Sequence, residues 1–153
     1  MSIPNFKQNK IDSVTESSNH INSFPRRRSW IISKNLFSSF QYAVQGIRYA
    51  FRSQRNFRIH IFIGISVAVF GIFLNLSFTS LSIIALTIST VLILELINTS
   101  IEAVVDLSIG RRFHPLARVA KDCAAASVLI SATSSVIIAL LLILPSLLKK
   151  LGG

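Results

Sequence analysis

Residues 59–76, IHIFIGISVAVFGIFLNL, contain no Asp, Glu, Lys or Arg, and His60 stands at their edge. As an α-helix, eighteen such residues rise about 27 Å, close to the roughly 30 Å hydrocarbon layer of a bilayer. A second apolar run starts near Phe78 and reaches Leu94, and a third extends from Cys123 to Leu148 with Pro145 near its end. Inside lipid a lone segment satisfies its backbone polar groups only by forming a helix. The chain is therefore expected to be all-α, an integral membrane protein with three transmembrane helices at 59–76, 78–106 (including a cytoplasmic extension) and 117–148.

A formal charge of +10 invites a nucleic-acid reading. The placement of the cations excludes it. They flank the apolar runs instead of forming a stripe on a soluble surface, and anionic lipid headgroups are the expected partners. Ten Lys and Arg precede the first run, four lie between the second and third (Arg111, Arg112, Arg118, Lys121), and none lies at 75–80. The bias places the amino terminus and the second connection in the cytoplasm. Lys149 and Lys150 go against it.

Residues 36–58 place Leu36, Phe37, Phe40, Ala43, Val44, Ile47 and Phe51 at helical spacing, with Arg48, Arg52 and Arg55 on another face. This pattern suits a helix lying on the membrane, apolar side down and arginines among headgroups. Residues 1–34, rich in Ser and Asn and carrying PRRRSW at 25–30, are read as a polar, basic, disordered extension without the apolar core of a signal peptide. The membrane domain then covers 35–150. The single cysteine, Cys123, allows no intrachain disulfide.

The second run continues into LILELINTSIEAVVDLSIG, residues 92–110, where Glu95, Asn98, Glu102 and Asp106 recur at steps of three and four. Such steps put all four on one helix face. Residues 81–94 rise about 21 Å, so Glu95 falls short of the end of the hydrocarbon layer. A carboxylate at that depth marks a functional interior site, since burying it in lipid costs a few kcal/mol (about 2.5–3.5 on insertion scales). Four of the six acids (Glu95, Glu102, Asp106, Asp122) fall between 95 and 122, near Arg112, His114, Arg118 and Lys121. A mixed-charge site at the membrane boundary suits a divalent cation with a phosphorylated substrate. The outer halves of the runs carry only Ser, Thr and Asn as polar groups, which favours interfacial chemistry over transport. No Walker-type glycine-rich loop is present, for only Gly110 of the six glycines lies near the second connection.

ELINTSIEAVVD (95–106), followed by FHPLARVAKDCAAASVLISA (113–132), resembles the signature of the bacterial diacylglycerol kinase family, small three-span membrane kinases that include undecaprenol kinases. GIRYAFRSQRNFRIH (46–60) is similar to the undecaprenol kinase branch. The resemblance covers roughly residues 36–145. It implies an ATP- and magnesium-dependent lipid kinase of the bacterial inner membrane, a homotrimer with active sites shared between subunits. Glu95 matches the family's catalytic carboxylate and Asn98 its partner one turn away. Glu102 matches a metal-binding glutamate, and Lys121 with Asp122 the nucleotide-contacting pair. Tyr42 and His114 fall where further nucleotide contacts are expected. Arg48 and Glu95 are the candidates for contact with the lipid. Where the family commonly carries a second metal-binding glutamate, this chain has Gln54, whose amide oxygen can ligate magnesium but brings no charge.

The acceptor stays open between diacylglycerol and undecaprenol, since both present a primary hydroxyl on an apolar body. A proton- or ion-coupled transporter subunit and a catalytically silent relative of the kinases are the competing readings.

Overall fold

The computed structural model describes residues 36–110 and 112–152, so the expected extension over 1–34 lies outside the described residues. Four helices follow one another: α1 (Leu36–Ser53), α2 (Arg55–Phe73), α3 (Phe78–Ile109) and α4 (Pro115–Leu151). Among the described residues no strand occurs. The last three helices are long and apolar enough to cross a membrane.

The first boundary falls at Gln54, not after residue 58. Gln54 adopts an extended conformation (φ −102°, ψ 115°). Its N–H still bonds the Ala50 carbonyl at 2.8 Å. Beyond it, the Arg58 guanidinium folds back and donates to the carbonyls of Phe51 (3.0 Å) and Arg52 (3.1 Å). A helix end leaves such carbonyls without intrahelical partners, and a cation there also meets the negative end of the helix dipole. Ala50 and Phe57 are buried on either side of this elbow. Residues 55–58 thus belong to the first spanning helix.

That helix ends at Phe73, three residues before the end of the apolar run. Asn75 takes a left-handed conformation (φ 56°). The Asn75 N–H bonds Ile72 O at 2.9 Å and the Leu76 N–H bonds Gly71 O at 3.1 Å. This is the Schellman arrangement, with Asn in the position that tolerates positive φ. Leu76 folds over Gly71, where an added Cβ would stand 3.1 Å from Leu76 Cδ1. The next residue, Ser77, caps α3 by accepting from the Ser80 N–H at 3.2 Å. So short a link makes α2 and α3 antiparallel neighbours.

Both α2 and α4 pack on α3, with little contact between the two. The α2–α3 seam is close because Gly64 faces Ile88, and a Cβ there would meet Ile88 Cγ2 at 2.8 Å. Phe57, Gly64 and Gly71 are buried along α2; Ile84, Val91, Glu95, Asn98 and Thr99 along α3; Ala124 and Val128 along α4. Most large apolar side chains point outward, as a lipid solvent permits. The 32 residues of α3 rise about 48 Å, so α3 outlasts the hydrocarbon layer and carries its polar end beyond it. It stops at Gly110, whose φ of 60° favours glycine. Then α4 starts at Pro115, with His114 Nδ1 accepting from the Leu116 N–H at 3.3 Å. At its far end Lys150 Nζ donates to Phe73 O at 3.1 Å and lies 4.1 Å from the Phe73 ring centroid. One of the two cations that defy the charge bias therefore caps α2.

Candidate active site

The polar face of α3 is arranged in tiers. Deepest is Glu95, 3% exposed, beside the buried Asn98 and Thr99. Thr99 spends its hydroxyl on the Glu95 backbone carbonyl at 2.8 Å. Glu95 Oε1 and Asn98 Oδ1 are buried without a hydrogen-bond partner. Buried acceptors left unpaired are costly. A charge-pairing partner for Glu95 comes from another helix: His60 Nε2 lies 3.5 Å from Glu95 Oε1.

One turn along, Asn98 Nδ2 donates to Glu102 Oε1 at 3.0 Å. Gln54 Nε2 reaches Glu102 Oε2 at 3.5 Å. The elbow between α1 and α2 is what delivers Gln54 here, 48 residues away in sequence. Another turn on, Lys121 of α4 bonds Asp106 Oδ1 at 2.7 Å. The like charges of the stripe are thus separated by a histidine, two amides and a lysine.

Of the site residues expected from the sequence, Glu95, Asn98, Glu102 and Gln54 come together, and Lys121 joins α3 through Asp106. Asp122 is exposed and pairs with Arg118 on its own helix at 3.6 Å. His114 is exposed at the start of α4. Tyr42 and Arg48 are exposed on α1, and no hydrogen bond or ion pair joins them to the stripe among the described residues. Arg48 shares a shallow basic surface with Gln45, Tyr49, Arg52 and Ser53. His60, which the sequence marks only as the edge of an apolar run, joins this cluster; its sequence signal is an ionisable side chain inside a spanning segment.

Between α2, α3 and α4 lies an apolar cleft of about 460 Å³. Gly64, Val91, Ala132, Val136 and Leu144 are among its walls, and His60 is the one ionisable residue on it.

For a cation, the available ligands are hard oxygens: the Glu102 carboxylate, the unpartnered Asn98 Oδ1, and the Gln54 amide oxygen after exchange of its two amide atoms, which are not told apart by shape. Among the described residues no three His, Cys, Asp or Glu side chains converge. One carboxylate with amides fits magnesium, which keeps waters and leans on phosphate oxygens, better than it fits a cation needing a full protein cage.

Three apolar spans with carboxylates at the boundary of the membrane define an integral membrane protein with an enzyme-like interfacial site. The model of the prokaryotic diacylglycerol kinase family matches residues 41–143. A diacylglycerol kinase of Synechocystis is 48% identical over 124 residues, covering 81% of this chain and 71% of the relative. An undecaprenol kinase of Bacillus subtilis is 44% identical over 111 residues, 72% of this chain and 89% of the relative. A diacylglycerol kinase of Helicobacter pylori is 34% identical over 97 residues, 63% of this chain and 75% of the relative. The chain belongs to the prokaryotic diacylglycerol kinase family. It is a membrane lipid kinase, a transferase of bacterial membranes.

Proposed function

We propose that this chain transfers the γ-phosphate of ATP to the primary hydroxyl of a membrane lipid, diacylglycerol or undecaprenol, with Glu95 as the general base. The observation that carries the reading is the position of Glu95, a buried carboxylate 3.5 Å from His60, which lines an apolar cleft. A lipid whose chain lies in the cleft brings its hydroxyl to that carboxylate. Glu95 takes the hydroxyl proton, the freed oxygen bonds the γ-phosphorus, and the bond to the bridging oxygen of ADP breaks. Asn98, next along the same face, orients the hydroxyl. Such a reaction asks mainly for positioning and charge neutralisation.

Glu102 and Gln54 are the residues that would hold magnesium, whose chemistry is to offset charge on the β- and γ-phosphates. Lys121 offers a further cation to the phosphates, at the cost of its bond to Asp106. Asp122, His114 and Tyr42 belong to the nucleotide side of the site, and Arg48 to the lipid headgroup side. Since α1 supplies neither Tyr42 nor Arg48 to the stripe within one chain, a homotrimer with sites shared between subunits accommodates both. The kinase domain covers residues 35–150, and the amino terminus faces the cytoplasm, where ATP is.

The test is a mixed-micelle assay with labelled ATP and magnesium, run with diacylglycerol and with undecaprenol. Label should enter one of the lipids, and the ratio of initial rates names the acceptor. Glu95→Gln should lower turnover about 10²–10⁴-fold with the ATP requirement nearly unchanged. Ordinary turnover in that variant removes Glu95 from the mechanism.

A further inference from the structure

Glu95 has one neighbour that the reading above leaves idle. His60 Nε2 is 3.5 Å from Glu95 Oε1, with side chains 24% and 4% exposed respectively. His60 lines the apolar cleft, whereas Glu95 does not. The imidazole therefore touches both the space that suits a lipid chain and the proposed general base. The two groups sit on different helices, and the seam between these helices is set by the glycine contact at Gly64, one turn along α2 from His60.

We propose that His60 is the positioning residue for Glu95, its Nε2–H holding Oε1 so that the other carboxylate oxygen is presented to a hydroxyl in the cleft. The inference rests on Glu95 being the general base. At 3.5 Å the contact is longer than an N–H···O bond of 2.7–3.2 Å. Hydrogen bonds of this kind tighten when substrate fills the site. Chemistry requires only that the imidazole carry its proton on Nε2, in the neutral or the charged form. A carboxylate with no donor on it can turn about its side-chain torsions. With Oε1 tied to a neighbouring helix, only one oxygen remains for the acceptor. Misplacing a reacting group by about 1 Å costs about 10²-fold in rate, so a single donor at this point has large leverage. The leverage falls on turnover and leaves nucleotide binding alone, because His60 lies on the cleft side of Glu95, while Glu102, and Asp106 with its partner Lys121 of α4, lie beyond it along α3.

The experiment compares His60→Leu, His60→Gln, Glu95→Gln and the double variant His60→Leu/Glu95→Gln in the mixed-micelle assay, each checked for thermal stability in detergent. His60→Leu should lower kcat about 10²-fold with the KM for MgATP unchanged. His60→Gln, whose amide N–H can replace the donor, should recover most of that loss. In the double variant the two losses should not add, because the donor and its carboxylate act as one unit. If His60→Leu does not fold, His60→Phe, which keeps a ring without a donor, takes its place. Ordinary kcat in the Leu or Phe variant overturns the proposal, as does a Gln variant no better than Leu. Full additivity in the double variant does so too. An inactive Glu95→Gln with a fully active His60→Leu overturns this inference alone, while an active Glu95→Gln removes the general base and the positioning role with it.

Discussion

Glu102 is bracketed by amides, Asn98 Nδ2 at 3.0 Å and Gln54 Nε2 at 3.5 Å. An amide can turn its oxygen toward a cation or its nitrogen toward a carboxylate, so this trio is balanced with or without a metal. A second carboxylate at position 54 would not be. Gln54→Glu places two negative charges within about 4 Å, which repel by ~1–4 kcal/mol over the range of effective dielectric from water to a protein surface. The variant should therefore melt lower than the native protein in EDTA and gain more from added magnesium. Its kinase activity should also reach half-maximum at lower magnesium. Glu102→Gln leaves no anionic ligand and should be nearly inactive at any practical magnesium concentration. Magnesium titrations of melting temperature and of activity, corrected for MgATP, check all of this. An unchanged magnesium dependence in Gln54→Glu would take Gln54 away from the metal.

The helices show which boundaries a sequence announces and which it hides. Four polar residues at steps of three and four exposed the stripe on α3, because that pattern is local to one element. The number of spans was equally legible from the apolar runs. The α1–α2 elbow was not, since RSQRN holds no Gly or Pro and the break is made by Arg58 reaching back to two carbonyls. Nor was His60, whose partner lies on the next helix and has no signature in periodicity. The glycine seam is a case where structure adds a magnitude. Gly64→Ala drives a Cβ to within 2.8 Å of Ile88 Cγ2, a methyl on a stiff β-branched side chain, and overpacking of this kind costs about 1–3 kcal/mol. Its melting temperature in detergent should fall. Adding Ile88→Leu, which removes that methyl, should restore much of the loss. Equal destabilisation in single and double variants would show that the seam is set elsewhere.

At the scale of the whole molecule, the two ends of the helix bundle differ in kind. One end carries Arg52, Arg55, Arg58, Arg112, Arg118 and Lys121 together with the acids of α3. The other holds the α2–α3 turn, with no Lys or Arg from 74 to 77, and Lys150 engaged on Phe73. Cationic loops stay on the cytoplasmic side during insertion, and a lysine already capping a helix end can sit near the opposite interface as part of the fold. Spanning helices whose apolar stretches are mostly not buried within the chain leave ample surface for lipid or sister subunits. Neither changes which end faces in. Orientation can be read with single cysteines in a Cys123→Ala background. Ser77, in the turn, is one site. Phe113, 78% exposed in the second connection, is a better opposite site than Gly110, whose positive φ resists a side chain. In intact cells an impermeant thiol reagent should label the cysteine at Ser77 and spare the one at Phe113. Permeabilised cells should label both. The reverse pattern in intact cells would turn the protein over and put the carboxylates out of reach of cytoplasmic ATP. With Lys149 and Lys150 replaced by Gln the expected pattern should persist, because the ten cations ahead of and in the first turn of the first span outweigh two behind the last.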